Sequence, residues 1–289
     1  MIIIGCSHGV HIAKKIASKL RKPYSALEVT HFPDSEIKLR FKVDVKGKVV
    51  VLVQSFYGNV NDCVIETLFA AETARDLGAK KVVLAAPYFA YLRQDKRFNP
   101  GECISLRTIA KNIDEDFDEI FIVDPHLHRE RTLGHIFKIK AHKLTANPLI
   151  EEHIKRKIKN PVIIGPDWES YKWAQAIAER IGCDFAIMEK DRISARKVRV
   201  KLHKKIDVKS KNLVIIDDMV STGHTLLEAI KAMKKIGARE IACFAVHGIF
   251  AENALEKLVK AGASVVTCNT IPSKAAKIDV SGLIAERLG

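Results

Sequence analysis

Short runs of β-branched and other apolar residues recur along the chain, each closed by turn residues. They are Met1–Ile4, Lys48–Val53, Lys81–Ala86, Glu119–Val123, Val162–Gly165, Asp184–Met188, Leu213–Ile216, Glu240–Val246 and Ser264–Thr267. They lack the strict apolar–polar alternation of a half-exposed strand, which predicts strands buried on both faces. Helical spacing fills most of the gaps, as in Val10–Leu20, Cys63–Leu77, Trp173–Ile181 and Thr225–Ile236. Gly78, Gly182, Gly237 and Gly262 each follow a helical stretch and precede a strand, the place of a helix C-terminal glycine. Buried strands alternating with helices define an α/β chain with parallel sheets.

The pattern also repeats. Val49–Ser55, the helix Cys63–Leu77, the Gly78-Ala79-Lys80-Lys81 turn and Val82–Pro87 parallel a second series. That series is Leu213–Asp218, the helix Thr225–Ile236, Gly237-Ala238-Arg239-Glu240 and Ile241–Gly248. One domain type is therefore expected twice, over residues 1–146 and 147–289, with Asn147-Pro148 interrupting the pattern between them.

Composition narrows the classes. With 289 residues, 47% hydrophobic and 28% charged, the chain can bury full cores. No apolar run approaches the roughly 18 residues of a membrane span, and the N-terminus reads as a strand rather than a signal peptide. The six scattered cysteines form no C-x-x-C pair, so a zinc ribbon or disulfide framework is not expected, and a reduced cytoplasmic protein is. The net charge of +14 calls for an anionic partner: nucleic acid, an acidic membrane or a phosphorylated small molecule. Its location is informative. Ten Lys/Arg and three Asp/Glu lie between Glu189 and Lys211, a local excess of seven with no aromatic residue. A single-strand nucleic-acid reader would interleave aromatics there. Val198, Val200 and Leu202 alternate with Arg199, Lys201 and His203, which predicts a β-ribbon with one basic face.

The most informative stretch is Leu213-Val214-Ile215-Ile216-Asp217-Asp218-Met219-Val220-Ser221-Thr222-Gly223-His224-Thr225. A buried strand ends in two carboxylates, and a Ser/Thr/Gly loop then opens into a helix. In α/β sheets, ligands bind beyond the carboxyl ends of the strands. Free N–H groups at the helix start, with the hydroxyls of Ser221, Thr222 and Thr225, suit a phosphate, and Gly223 allows its close approach. Asp217 and Asp218 cannot face that anion and are expected to accept hydrogen bonds from sugar hydroxyls. The whole describes a site for a ribose 5-phosphate group, and it resembles the phosphoribosyl pyrophosphate loop of the phosphoribosyltransferase fold.

Further motifs occur in order along the chain: Phe32-Pro33-Asp34-Ser35-Glu36, Pro87–Asp95, Asp124-Pro125-His126, Gly165-Pro166-Asp167 and Lys190-Asp191-Arg192. With the loop above, they make the chain resemble the ribose-phosphate pyrophosphokinase (phosphoribosyl pyrophosphate synthetase) family, of archaeal type, over essentially its full length. The resemblance implies two tandem phosphoribosyltransferase-like domains, each a mainly parallel sheet flanked by helices. It implies transfer of the diphosphoryl group of ATP to the 1-hydroxyl of ribose 5-phosphate, releasing AMP, with Mg²⁺ as cofactor. Phe32, Asp34 and Glu36 match the adenine-recognition segment, supplied by a neighbouring subunit, so a homo-oligomer of at least two chains is implied. Arg93 and Gln94 match nucleotide-contacting residues, with Lys96 and Arg97 less firmly matched. His126 matches a Mg-ATP histidine, Asp167 an acid near ribose and metal, and Asp124 is a further metal candidate. Lys190 and Arg192 match the catalytic flexible loop.

The sequence departs from the family in having Trp168-Glu169-Ser170-Tyr171-Lys172-Trp173 after Asp167, where small residues are common; packing of these aromatics under the next helix is expected. Ser221 stands where many members carry an acid, and His224 follows Gly223 where bacterial-type members differ. His128 and His135 near His126 invite a zinc site, but no cysteine or carboxylate set completes one. The competing readings are a phosphoribosyltransferase, or a catalytically silent regulatory or nucleic-acid-binding homologue. The nucleotide motifs of the first domain oppose the former. Retention of Lys190, Arg192, Asp217 and Asp218 opposes the latter.

Overall fold

A computed structural model describes residues 1–289 except 128–131, 195, 196, 205, 207 and 210, and gives only the backbone course for 190–201. The chain divides into two units: Met1–Thr145 with Val280–Gly289, and Ala146–Asp279.

The first unit runs β1 (Ile2–Gly5), α1 (Val10–Leu20), β2 (Tyr24–Ala26), β3 (Glu28–His31), β4 (Ile37–Arg40), β5 (Val49–Val53), α2 (Val60–Asp76), β6 (Lys81–Ala86), α3 (Ser105–Asp116), β7 (Glu119–Val123) and β8 (Lys140–Leu144). Six strands form one all-parallel sheet in the order β2-β1-β5-β6-β7-β8. The central runs Val50–Val53 and Val82–Ala86 are buried, as β-branched strands covered on both faces must be. β3 and β4 form a separate antiparallel hairpin, with His31 opposite Ile37.

The second unit runs α4 (Asn147–Lys157), β9 (Pro161–Gly165), α5 (Tyr171–Ile181), β10 (Phe185–Ser194), β11 (Lys197–Leu202), β12 (Asn212–Val220), α6 (His224–Lys235), β13 (Glu240–Gly248), α7 (Ala254–Lys260), β14 (Ser264–Cys268) and β15 (Ala276–Ile278). Its sheet has the order β11-β10-β9-β12-β13-β14-β15 and is parallel except at its edge, where β11 runs antiparallel to β10. Helix α6 buries Leu226, Ala229, Ile230 and Met233, the single stripe that spacings of three and four generate, against Ile164, Ile215 and Cys243.

Both units are thus parallel sheets with helices, as the sequence predicts. Two details differ. Asn147-Pro148, expected to interrupt the pattern, begins α4, with proline in its first turn where its missing N–H costs nothing. The last helix, α8 (Ser281–Leu288), packs on α1, so Val280–Gly289 belong to the first unit and not the second. No disulfide joins the six cysteines. Among the described residues no helix is long and apolar enough to cross a membrane.

One close approach holds the first sheet's carboxyl edge together. Cys6 N–H donates to the Val53 carbonyl (3.0 Å), and a Cβ on Gly9 would lie 1.7 Å from that same oxygen. The β1–α1 loop can cross the exit of β5 only without a side chain there. Gly9→Ala is therefore expected to lower stability by about 3 kcal/mol or more, read as a reduced urea midpoint with unchanged slope.

Candidate active site

β12 is longer than its apolar run. It continues through Asp217, Asp218, Met219 and Val220, with Asp217 opposite Ala245 and Val220 opposite Gly248 of β13. The carboxylates are therefore strand residues rather than loop residues. Beyond them, the Val220 carbonyl accepts N–H bonds from Ile249 and Phe250, both at 3.0 Å, which locks the exits of β12 and β13 together. Ser221 and Thr222 turn the chain, and α6 starts at His224, one residue before the predicted Thr225. No side chain caps this helix, so its first N–H groups, which have no intrahelical acceptors, face outward with the Ser221, Thr222 and Thr225 hydroxyls nearby in sequence. Gly223 has φ +74°, and a Cβ there would meet the Ala254 side chain at 3.1 Å. Left-handed backbone and contact with α7 thus require glycine, independently of any phosphate.

At the exit of β9, Asp167 is held in a tight turn. Its Oδ1 accepts the N–H groups of Glu169 (3.1 Å) and Ser170 (3.2 Å), while Ser170 Oγ donates to its carbonyl (2.6 Å). β9 and β12 are paired neighbours, so this turn stands beside Asp217 and Asp218. Asp217 Oδ1 accepts the Asp218 N–H at 3.0 Å. Burial, and then the charges of Asp218, Asp167 and Glu169, push the Asp217 carboxyl well above the usual carboxylate range. The structure therefore brings Asp167, Asp217 and Asp218 together and adds Glu169. The sequence reading missed that residue because its only signal was its place in the Asp167-x-Glu169-Ser170 helix-start pattern.

Lys190 and Arg192 lie on β10, opposite Val200 and Val198 of β11, so their backbones are strand and not loop; their side chains lie outside the described residues. The expected β-ribbon is present. Of the aromatics expected to pack under the following helix, Tyr171 meets Phe185 edge-on at 5.8 Å, whereas Trp168 stays largely in water. It is 53% exposed and stacks on Tyr171.

The remaining expected residues belong to the first unit. Phe32, Asp34 and Glu36 form the tip of the β3–β4 hairpin, where Phe32 N–H donates to the Glu36 carbonyl (2.8 Å) and Glu36 N–H to Asp34 Oδ1 (3.3 Å). Phe32 is 47% exposed, with Lys38 Nζ 5.7 Å from its ring. Arg93 is exposed, and Gln94 is half-buried, its carbonyl accepting the Leu106 N–H. The buried segment Tyr88–Ala90 with Leu92 anchors this pair at the exit of β6. Asp124, at the exit of β7, is buried with φ +37°, and its N–H donates to the Leu144 carbonyl (2.9 Å). His126 follows, half-buried. His128 is outside the described residues, and among those described no three His, Cys, Asp or Glu side chains converge on a metal position.

A strand-exit carboxylate pair feeding a helix start on a parallel sheet belongs to the phosphoribosyltransferase class. Residues 132–282 match the phosphoribosyl transferase domain family, and residues 1–115 match the N-terminal domain of ribose phosphate pyrophosphokinase. The ribose-phosphate pyrophosphokinase of Methanothermobacter thermautotrophicus is 37% identical over 99% of both chains, and that of Pyrococcus furiosus 35% over 97% of both. The phosphoribosylpyrophosphate synthetase of Mycobacterium smegmatis superposes with a TM-score of 0.85 at 25% identity, covering 99% of this chain and 97% of that one. The chain belongs to the ribose-phosphate pyrophosphokinase family and is an enzyme of that family.

The raised carboxyl has a consequence for stability. An acid whose folded pKa lies above its unfolded value stabilises the fold fully below the unfolded pKa, and that contribution is lost as pH rises through the folded one. In metal-free buffer, Asp217→Asn is therefore expected to raise Tm at pH 7, with the gain vanishing below about pH 4. A calorimetric scan across pH measures both.

Proposed function

We propose that the enzyme transfers the β,γ-diphosphoryl group of ATP to the 1-hydroxyl of ribose 5-phosphate, giving 5-phosphoribosyl 1-diphosphate and AMP. The observation that carries this reading is the carboxylate pair at the exit of β12, directly ahead of an uncapped helix start. The 5-phosphate of the sugar sits on the N–H groups of His224 and Thr225, with hydroxyl donors from Ser221, Thr222 and Thr225. Asp217 and Asp218 accept the ribose hydroxyls and fix the ring.

In the transfer, the sugar 1-oxygen bonds to the β-phosphorus and loses its proton, while the bond from that phosphorus to the α–β bridging oxygen breaks and AMP leaves. Such a transfer asks for positioning and cationic stabilisation more than covalent help from the protein. Lys190 and Arg192 supply that charge. Phe32, Asp34 and Glu36 of a neighbouring subunit receive adenine, and Arg93 and Gln94 hold the nucleotide, which makes the enzyme a homo-oligomer. The exposed hairpin tip supports the borrowed role, since it is free to reach another chain.

Mg²⁺ is the proposed cofactor. The oxygen donors gathered around Asp217, crowded enough to raise its pKa, suit a hard divalent cation. Asp167 would hold it, with His126 and Asp124 as the first unit's candidates; when bound it would offset phosphate charge. Six cysteines without a disulfide among them suit a reducing compartment, the cytoplasm.

With ATP, Mg²⁺ and ribose 5-phosphate, AMP and the 1-diphosphate are expected in equal amounts by phosphorus NMR; ADP as product would overturn the reading. Lys190→Ala is expected to lower kcat roughly 100- to 1000-fold with little change in KM. Asp218→Asn is expected to weaken ribose 5-phosphate binding more than ATP binding, as calorimetric titration of each substrate will show.

A further inference from the structure

Trp168 stands one residue beyond Asp167 and belongs to a built cluster of rings. Its indole stacks on Tyr171 at 5.6 Å and 23°, and meets His203 edge-on at 5.7 Å and 69°. Tyr171 in turn packs edge-on against Phe185 (5.8 Å), and Lys204 Nζ lies 4.0 Å over the Phe185 ring. His203 is itself fixed, because Ile187 N–H donates to its Nδ1 at 2.8 Å and leaves its proton on Nε2. The turn beneath Trp168 is locked by the Asp167–Ser170 bonds. One indole is thus held rigidly on a three-ring support, yet 53% of its surface stays in water. Exposing that much aromatic area gives nothing back to folding.

We propose that Trp168 is a stacking surface for the base of a nucleotide, separate from the Phe32 hairpin. Two observations select a nucleotide. The rigid indole suits a planar partner, because base–aromatic stacking needs a π-face and little else. Lys172, exposed and four residues beyond Trp168, and Lys204, over the Phe185 ring of the same cluster, put two cations beside the indole to meet a phosphate. The Asp167 turn joins the surface to Asp217 and Asp218 of the neighbouring β12, so the nucleotide's sugar lies toward them. The inference rests on reading that turn as part of a ligand site, but not on the reaction assigned to it.

The chain has two tryptophans, so Trp173→Phe leaves Trp168 as the sole indole reporter. Titrating AMP into this variant, without divalent metal, is expected to quench the emission saturably, whereas ribose 5-phosphate alone leaves it unchanged. In the Phe32→Ala background, which removes the stacking partner of the other nucleotide site, Trp168→Ala is expected to weaken AMP binding roughly 5- to 150-fold by calorimetry, and Trp168→Phe to restore most of it. The quench is expected to survive Phe32→Ala in the Trp173→Phe background. Absence of quenching, equal quenching by ribose 5-phosphate, unchanged AMP affinity when Trp168→Ala is added to Phe32→Ala, or loss of the quench with Phe32→Ala would each overturn the inference. No turnover is measured, so these outcomes are independent of the product assay.

Discussion

Leu213–Ile216 hold β12 at the centre of its sheet, between β9 and β13, with almost no surface exposed. That burial dictates what happens at the exit. The strand cannot bend aside, so the next residues, Asp217 and Asp218, are carried along its line into a partly desolvated position beside the Asp167 turn. Burial, and then three further carboxylates, push the Asp217 carboxyl up, so a negative charge is disfavoured at this one edge. Aliphatic burial along β12 offsets that cost. The ligand chemistry of the second unit depends on this arrangement, since a divalent cation or sugar hydroxyls would relieve it.

The first unit shows the same architecture with the corresponding edge closed. There Glu66, on α2 and fully buried, takes the Ser7 N–H at 2.7 Å and also the Ser7 hydroxyl. Gln54 Oε1 accepts the His8 N–H at 3.0 Å. Donors that could greet an anion at the exits of β1 and β5 are thus satisfied by the protein's own side chains. Duplicated folds need not duplicate sites, because a single buried acceptor on a facing helix is enough to fill one. In this unit the exposed candidates are displaced outward, to the hairpin tip and to Arg93.

Parts of this were legible along the chain. Buried parallel strands announce themselves because both faces must be apolar, so all nine runs became strands. The β12–α6 loop was legible because a D-D pair, hydroxyl residues and glycine need only local order to be recognised. Strands β2, β3, β4, β8 and β15 were not among the predicted runs: they are edge or hairpin strands of three to five residues, largely half-exposed, with no long β-branched run to mark them. The extension of β10 through Lys190 and Arg192 was hidden for a similar reason, because ladder pairing with β11 overrides a charged, loop-like composition.

The sequence by itself determined the fold class, the duplication and the chemistry offered at the exit of β12, since each follows from residue type at a fixed short spacing. Tertiary structure alone decided which carboxylates share a field, because Asp167 and Asp217 are 50 positions apart and meet only through the pairing of β9 with β12. It also decided that α8 returns to α1, and that Trp168 stands in water rather than in the core. Those outcomes depend on which surfaces are left uncovered once the sheets have packed, and no local pattern encodes that remainder.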